Sequence, residues 1–383
     1  MNLFNSAWDI ISPLLTWVIG LCLVMQLGPR LGSSSRRSLH LYIWHTIWCL
    51  AYVLYSLGNS ADSVSYYQSA KTGAPAFQWG TSFVEYLTYF LISFLDLSYL
   101  SCFLVFNAIG SIGYISFDGT IRELNFSKRL FARHLVSLVI FLPSISFWSS
   151  AIGKDAIAFT ACILALRASL KLASRWPLGV LAIALMLLVR PHMGALLLIS
   201  MLIDVLSFKK LPILKKLGLF LLVGIASISI LPLVIQQIGL VDGVFADSVS
   251  IYIEQRQSYN QEGGGGVDIS GLPLPLQLGT YLFRPFFFDV NSALALAASF
   301  ENLTLVCLFC GAVINILKGQ RIPQGTPTLF LGFYALASWL ILAVTTANLG
   351  IALRQKWMFL PFLIYLSVAL APNRIKLADS SQI

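Results

Sequence analysis

Charge is what this 383-residue sequence is short of: 11% of its residues are Asp, Glu, Lys or Arg, against 57% hydrophobic. A soluble domain of this length cannot bury that much apolar surface, so a mean hydropathy of +0.81 excludes a water-soluble enzyme or binding module. The alternation of an outer-membrane barrel is missing too. No strand pattern precedes the four glycines at 263–266 and no GK[ST] follows them, which argues for a flexible segment rather than a phosphate cradle. The six cysteines (22, 49, 102, 162, 307 and 310) lie inside apolar runs, where they act as small hydrophobes. The lone CxxC at 307 and 310 has no second ligand pair, so neither metal nor redox chemistry is expected of it. The N-terminus shows no basic region and no small-residue cleavage site, so its first apolar stretch is expected to remain as a helix. No internal repeat is visible, which weakens an inverted-repeat transporter.

What is present is a succession of apolar runs at 10–27, 39–57, 97–117, 131–147, 156–172, 176–190, 192–208, 217–238, 290–316, 327–347 and 353–371. A hydrocarbon core about 30 Å thick needs about 20 helical residues, so the chain reads as one all-α, polytopic transmembrane helical bundle with about 11 crossings over 1–383. The formal charge of +9 comes from 25 basic against 16 acidic residues. Cytoplasmic loops account for it better than nucleic acid does. If alternate loops are cytoplasmic, Arg30, Arg36, Arg37, Arg122, Arg167, Arg175 and most other basic residues collect on one side. The positive-inside bias then puts the N-terminus outside and the C-terminus inside.

Parity constrains the rest. Residues 58–82 form a first outer loop, 83–95 ("FVEYLTYFLISFL") a helix lying at the outer interface, and 239–280 a long outer loop. Residues 176–208 must cross twice, so Arg190 falls at an outer junction in a protein-lined recess. Pro191 disfavours helix before it and starts a new one well.

Several basic residues break the positive-inside bias at outer helix ends: Lys154 in "WSSAIGKD", Arg190 in "VRPHM", Arg284 in "LFRPFFFD", and Arg354 with Lys356 in "NLGIALRQK". One explanation is ion pairing, of Lys154 with Asp155, Arg284 with Asp289 and Arg354 with Glu301. The other is an outward cavity for an anion, since guanidinium forks grip phosphate bidentately and lysine adds point charge. In the first outer loop, Asp62 followed by Tyr66 and Tyr67 offers a carboxylate that serves as a general base, as a ligand for a divalent metal, as a solvated loop residue or as a helix cap. His192 is a second candidate base. His40, His45 and His134 read as structural. Asp155 either orients Lys154 or caps the helix beginning at "DAIAF".

The ordered set of the outer-loop "D…Y", "PSISFWSSAIGKD", "RPH", "LFRPFFFDVNSALALAASFEN" and "NLGIALRQK" resembles bacterial integral-membrane polysaccharide polymerases and lipid-linked-sugar glycosyltransferases of the O-antigen polymerase, or GT-C-like, type, in patches from about residue 60 to 360. The resemblance implies glycosyl transfer at the outer face of the bacterial inner membrane. Its substrate would be a polyprenyl-pyrophosphate-linked glycan, with other polysaccharide assembly or chain-length proteins as partners. Asp62 matches the first-loop acidic position, and Lys154, Arg190, Arg284 and Arg354 match the pyrophosphate-gripping positions. The second acidic residue common in that loop is missing, Glu85 lying on the interfacial segment, so no metal or other cofactor is expected. A transporter or flippase of an anionic lipid-linked sugar remains the alternative, and a non-catalytic export subunit a third.

Overall fold

The computed structural model describes residues 6–124, 130–207, 253–258, 266–267, 269 and 271–371, with isolated positions between 212 and 224. The run expected at 217–238, the C-terminal tail from 372, and most of the long outer loop lie outside the described residues. In chain order the helices are α1 Trp8–Leu27, α2 Ser35–Gly58, α3 Asp62–Thr72, α4 Thr81–Leu95, α5 Tyr99–Arg122, α6 Leu130–Ile140, α7 Pro143–Ser149, α8 Lys154–Ser169, α9 Leu172–Val189, α10 Pro191–Ser207, α11 Leu274–Phe283, α12 Ala293–Leu317, α13 Thr328–Thr345, α14 Leu349–Gln355 and α15 Leu360–Ala369. Among the described residues there is no strand, only an isolated bridge between Gly266 and Asn348. Six of these helices (α1, α2, α5, α9, α12 and α13) are long and apolar enough to cross a membrane. Several others are apolar but shorter, including α4, α10 and α15.

The expected architecture is modified where proline interrupts a run. The single crossing read at 131–147 is two helices, because Pro143 lacks an N–H and disfavours helix at Leu142, which is extended at φ −60°, ψ 127°. The run at 353–371 is likewise α14, a 3-10 turn over Lys356–Met358, and α15 with Pro361 in its first turn. The stretch expected as a first outer loop, 58–82, contains α3, and the end of the stretch expected as a long outer loop, 239–280, runs into α11.

α5 is the hub: 72% of its crossing window is buried, against 22% for α1. Small residues make that possible. A Cβ on Gly110 would stand 1.9 Å from the carbonyl oxygen of Ser149, and one on Gly119 would stand 2.0 Å from that of Leu31. Only glycine lets backbone approach α5 so closely, the small-residue logic of membrane helix packing. His45 sits in this core, bonded to Asn107 (2.6 Å) and Ser149 (3.0 Å), which is a structural role.

The bundle has two chemically distinct ends. At one, Asp118 holds Arg37 (3.0 Å) and Arg122 (2.8 Å), and Glu123 holds Arg167 and Arg175 (2.9 Å each). Arg37, Arg122, Arg167 and Arg175 are among the basic residues expected on one side, and these four gather at one end of the bundle. At the other end stand the start of α3, the start of α8, the α9–α10 junction and the end of α14, which present the second charge cluster.

Candidate functional site

The second cluster is built by backbone features that the sequence announces. Pro191 opens α10, so Arg190 is released from helix (φ −147°, ψ 77°) while its N–H still bonds to the carbonyl of Met186 (2.7 Å). Its side chain is therefore projected at the junction of two antiparallel helices instead of along one of them. Lys154 and Asp155 form the first turn of α8, where a carboxylate is favoured by the helix dipole. Asp62 occupies the same position in α3. Arg354 lies in the last turn of α14, the end that favours a cation, and that helix is started by the side chain of Asn348 accepting from the N–H groups of Gly350 and Ile351.

These four stretches meet in one chain of ion pairs. Arg190 Nη2 donates to Asp155 Oδ1 at 2.8 Å, Arg354 Nε faces Asp155 Oδ2, and Arg354 Nη1 donates to Asp62 Oδ2 at 2.7 Å. The Arg354 Nε contact is an ion pair by proximity rather than an aligned hydrogen bond, since that nitrogen has no hydrogen-bond partner among the described residues. Arg190 Nε is buried and lacks one as well. Lys154 Nζ donates to Thr81 Oγ1 at 3.0 Å. Three cations therefore face two carboxylates, leaving one positive charge in a site whose interior is dry and whose edge is wet. The Arg190 side chain is 9% exposed and that of Asp62 52%. Beside Asp62 opens a polar groove of about 600 Å³ lined in part by Asn59, Ser60, Ser65 and Gln68.

Several expectations are corrected. Asp155 does not pair with Lys154 and does not cap α8; its two oxygens serve Arg190 and Arg354. Arg354 pairs with Asp62 and Asp155, not with Glu301. Glu301 is buried and accepts from the Ser144 N–H at 2.7 Å. Lys356 is fully buried, with its ammonium on Asn302 Oδ1 at 2.7 Å, because its place in the 3-10 turn directs it into the bundle. It belongs to packing and not to the anion site. Arg284 does pair with Asp289, through bonds of 3.0 and 2.5 Å, and is not bonded to the cluster among the described residues. The bond to Arg284 holds the Asp289 carboxyl below the ordinary carboxylate range.

Tyr66 is buried against Gly153, and burial followed by the neighbouring Asp62 charge pushes its phenol up to about 12, so it stays protonated near neutrality. His192 is part-buried in the first turn of α10, two residues past Arg190. Thr81, the partner of Lys154, escaped the sequence reading. Its signal is Gly80, whose φ of 86° turns the chain into α4 and whose N–H bonds to the Leu188 carbonyl (2.8 Å), tying α4 to the end of α9.

Among the described residues no three His, Cys, Asp or Glu side chains gather as metal ligands would. No protein-family model, no curated protein and no solved structure matches this chain, so the site is interpreted from its own geometry.

Proposed function

We propose that this chain is a multi-pass bacterial inner-membrane glycosyltransferase of the polysaccharide-polymerase kind. It would act at the extracytoplasmic face on a polyprenyl-pyrophosphate-linked sugar. The observation that supports this best is the clustering of Lys154, Arg190 and Arg354 around Asp155 and Asp62, with the exposed carboxylate of Asp62 also lining a polar groove. Guanidinium and ammonium groups in a partly dry site stabilise charge growing on a departing diphosphate. A carboxylate at the groove is placed to accept a proton from an incoming hydroxyl.

The reaction is a direct displacement. The acceptor hydroxyl oxygen bonds to the anomeric carbon, and the bond from that carbon to the diphosphate oxygen breaks with its electron pair leaving on the diphosphate. The hydroxyl proton passes to Asp62. His192, near Arg190, is the second candidate for that proton. Asp155 positions the two arginines, and no step requires a metal or other cofactor.

The test is to incubate the purified, detergent-solubilised chain with a lipid-pyrophosphate-linked repeat unit and read chain length by gel and mass spectrometry. Longer chains from wild type, lost in Arg190→Ala and Asp62→Asn, support the reading. Unchanged substrate with wild type overturns it and favours movement of the same anionic lipid across the bilayer.

A further inference from the structure

The site contains a contradiction that points to its working order. A base needs a free carboxylate, yet Asp62 is bound to Arg354 Nη1 at 2.7 Å. A diphosphate clamp needs free guanidinium faces, yet Arg354 is held between Asp62 and Asp155, and Arg190 by Asp155. The two demands are resolved by the same exchange. We propose, resting on the function above, that the Asp62–Arg354 pair is a donor-operated latch. The diphosphate of the lipid-linked donor takes Arg354 from Asp62, and the displaced carboxylate becomes competent to accept the proton of the acceptor hydroxyl.

The unequal burial of the two carboxylates decides which one yields. Asp155 is 13% exposed and lies against two guanidiniums, so removing it from them would leave charges unpaired in a dry interior. Asp62 is 52% exposed, holds one guanidinium and borders the groove, so water takes over its solvation when the pair opens. The weaker partner is the one that faces the groove. Arg190 keeps its bond to Asp155 throughout and supplies fixed positive charge beside the exchange. Lys154, whose bond among the described residues is to a neutral threonine hydroxyl, needs no carboxylate displaced.

Two consequences separate a latch from a static salt bridge. Donor binding should promote productive acceptor binding, because until the diphosphate arrives one oxygen of Asp62 is engaged by Arg354 and its charge is shared with that guanidinium. And Asp62 must oppose diphosphate binding, since it competes for Arg354.

Inorganic pyrophosphate titrated calorimetrically into the full-length detergent-solubilised chain reads the second consequence without any turnover. Asp62→Asn keeps the side-chain shape and removes the charge, and Asp62→Ala removes it by a different route. Both should bind pyrophosphate about fivefold tighter than wild type, the scale of one partly exposed charge pair. Arg354→Ala should bind it more weakly. Equal or weaker affinity in both Asp62 variants overturns the latch. If Arg190→Ala and Arg354→Ala still lose binding in that case, the diphosphate site and the proposed function stand without it. Failure of wild type and all variants to bind pyrophosphate overturns the latch and the diphosphate reading together.

Discussion

Asp155 stands between Arg190 and Arg354, giving Oδ1 to one and Oδ2 to the other. A carboxylate shared by two guanidiniums does more than neutralise them, because it sets their separation and aims the forks in a single geometry.

Loss of Asp155 should therefore be felt in stability before activity. Asp155→Asn leaves the largely buried Arg190 guanidinium without its counter-charge and Arg354 with Asp62 alone, and breaking a buried pair in this way costs about 3 kcal/mol. Thermal unfolding in detergent checks it; an unchanged midpoint would show that water reaches the two arginines in solution.

Arg284 and Arg190 should part company. Arg190→Ala is expected to abolish polymer with protein level maintained. Arg284→Ala removes only a local pair with Asp289, costing about 1 kcal/mol and sparing most of the product. Equal loss of polymer in the two variants would return Arg284 to the substrate site.

The Arg284–Asp289 pair also carries a pH signature. Asp289 has its carboxyl depressed by Arg284, so its contribution is complete above the unfolded carboxylate value of about 3.9 and is lost as pH falls through the lower folded value. Wild type should lose stability relative to Asp289→Asn below about pH 4, with little difference in pH dependence between them at pH 6 to 8. Denaturation midpoints across that range give the answer.

Lys356 should behave as part of a buried polar assembly. Its ammonium holds Asn302 Oδ1, Asn302 Nδ2 holds the Pro285 carbonyl at 2.9 Å, and the adjacent Glu301 takes the Ser144 N–H. Lys356→Met is expected to cost about 3 kcal/mol by leaving Glu301 as an uncompensated buried carboxylate. Adding Glu301→Gln should recover part of that loss. Strict additivity of the two substitutions in a double-mutant cycle would deny their coupling.

Close helix approach gives a last test. Gly119→Ala places a methyl 2.0 Å from the Leu31 carbonyl, which must move, at about 2 kcal/mol. The measurement is the thermal midpoint, with Gly311→Ala, whose Cβ would meet open space, as the control.

Much of this was legible in the residues. Membrane-length apolar runs, the helix break before Pro191 and the pairing of Arg284 with Asp289 follow from composition and from local rules acting over a few residues. The partners of Asp155 were not legible. Lys154 is its neighbour in sequence, but successive residues on a helix point about 100° apart, and the guanidiniums that claim Asp155 come from 35 and 199 positions away. Lys356 differs for a related reason: two residues past Arg354, a 3-10 turn directs its side chain into the bundle and onto Asn302.

The sequence by itself determined that the chain is an apolar helical protein, which stretches are long enough to cross, and which few charges stand where bilayer insertion penalises them. These are one-dimensional quantities, set by counting residues against a bilayer thickness and a hydration cost. Only the tertiary structure decided that Asp62 meets Arg354 across 292 residues, that Asp155 binds two arginines, and that Lys356 turns inward. Which cation reaches which carboxylate depends on where the packing of the bundle puts α3, α8, α14 and the α9–α10 junction, and that packing is settled by side-chain volume and glycine contacts spread over the whole bundle.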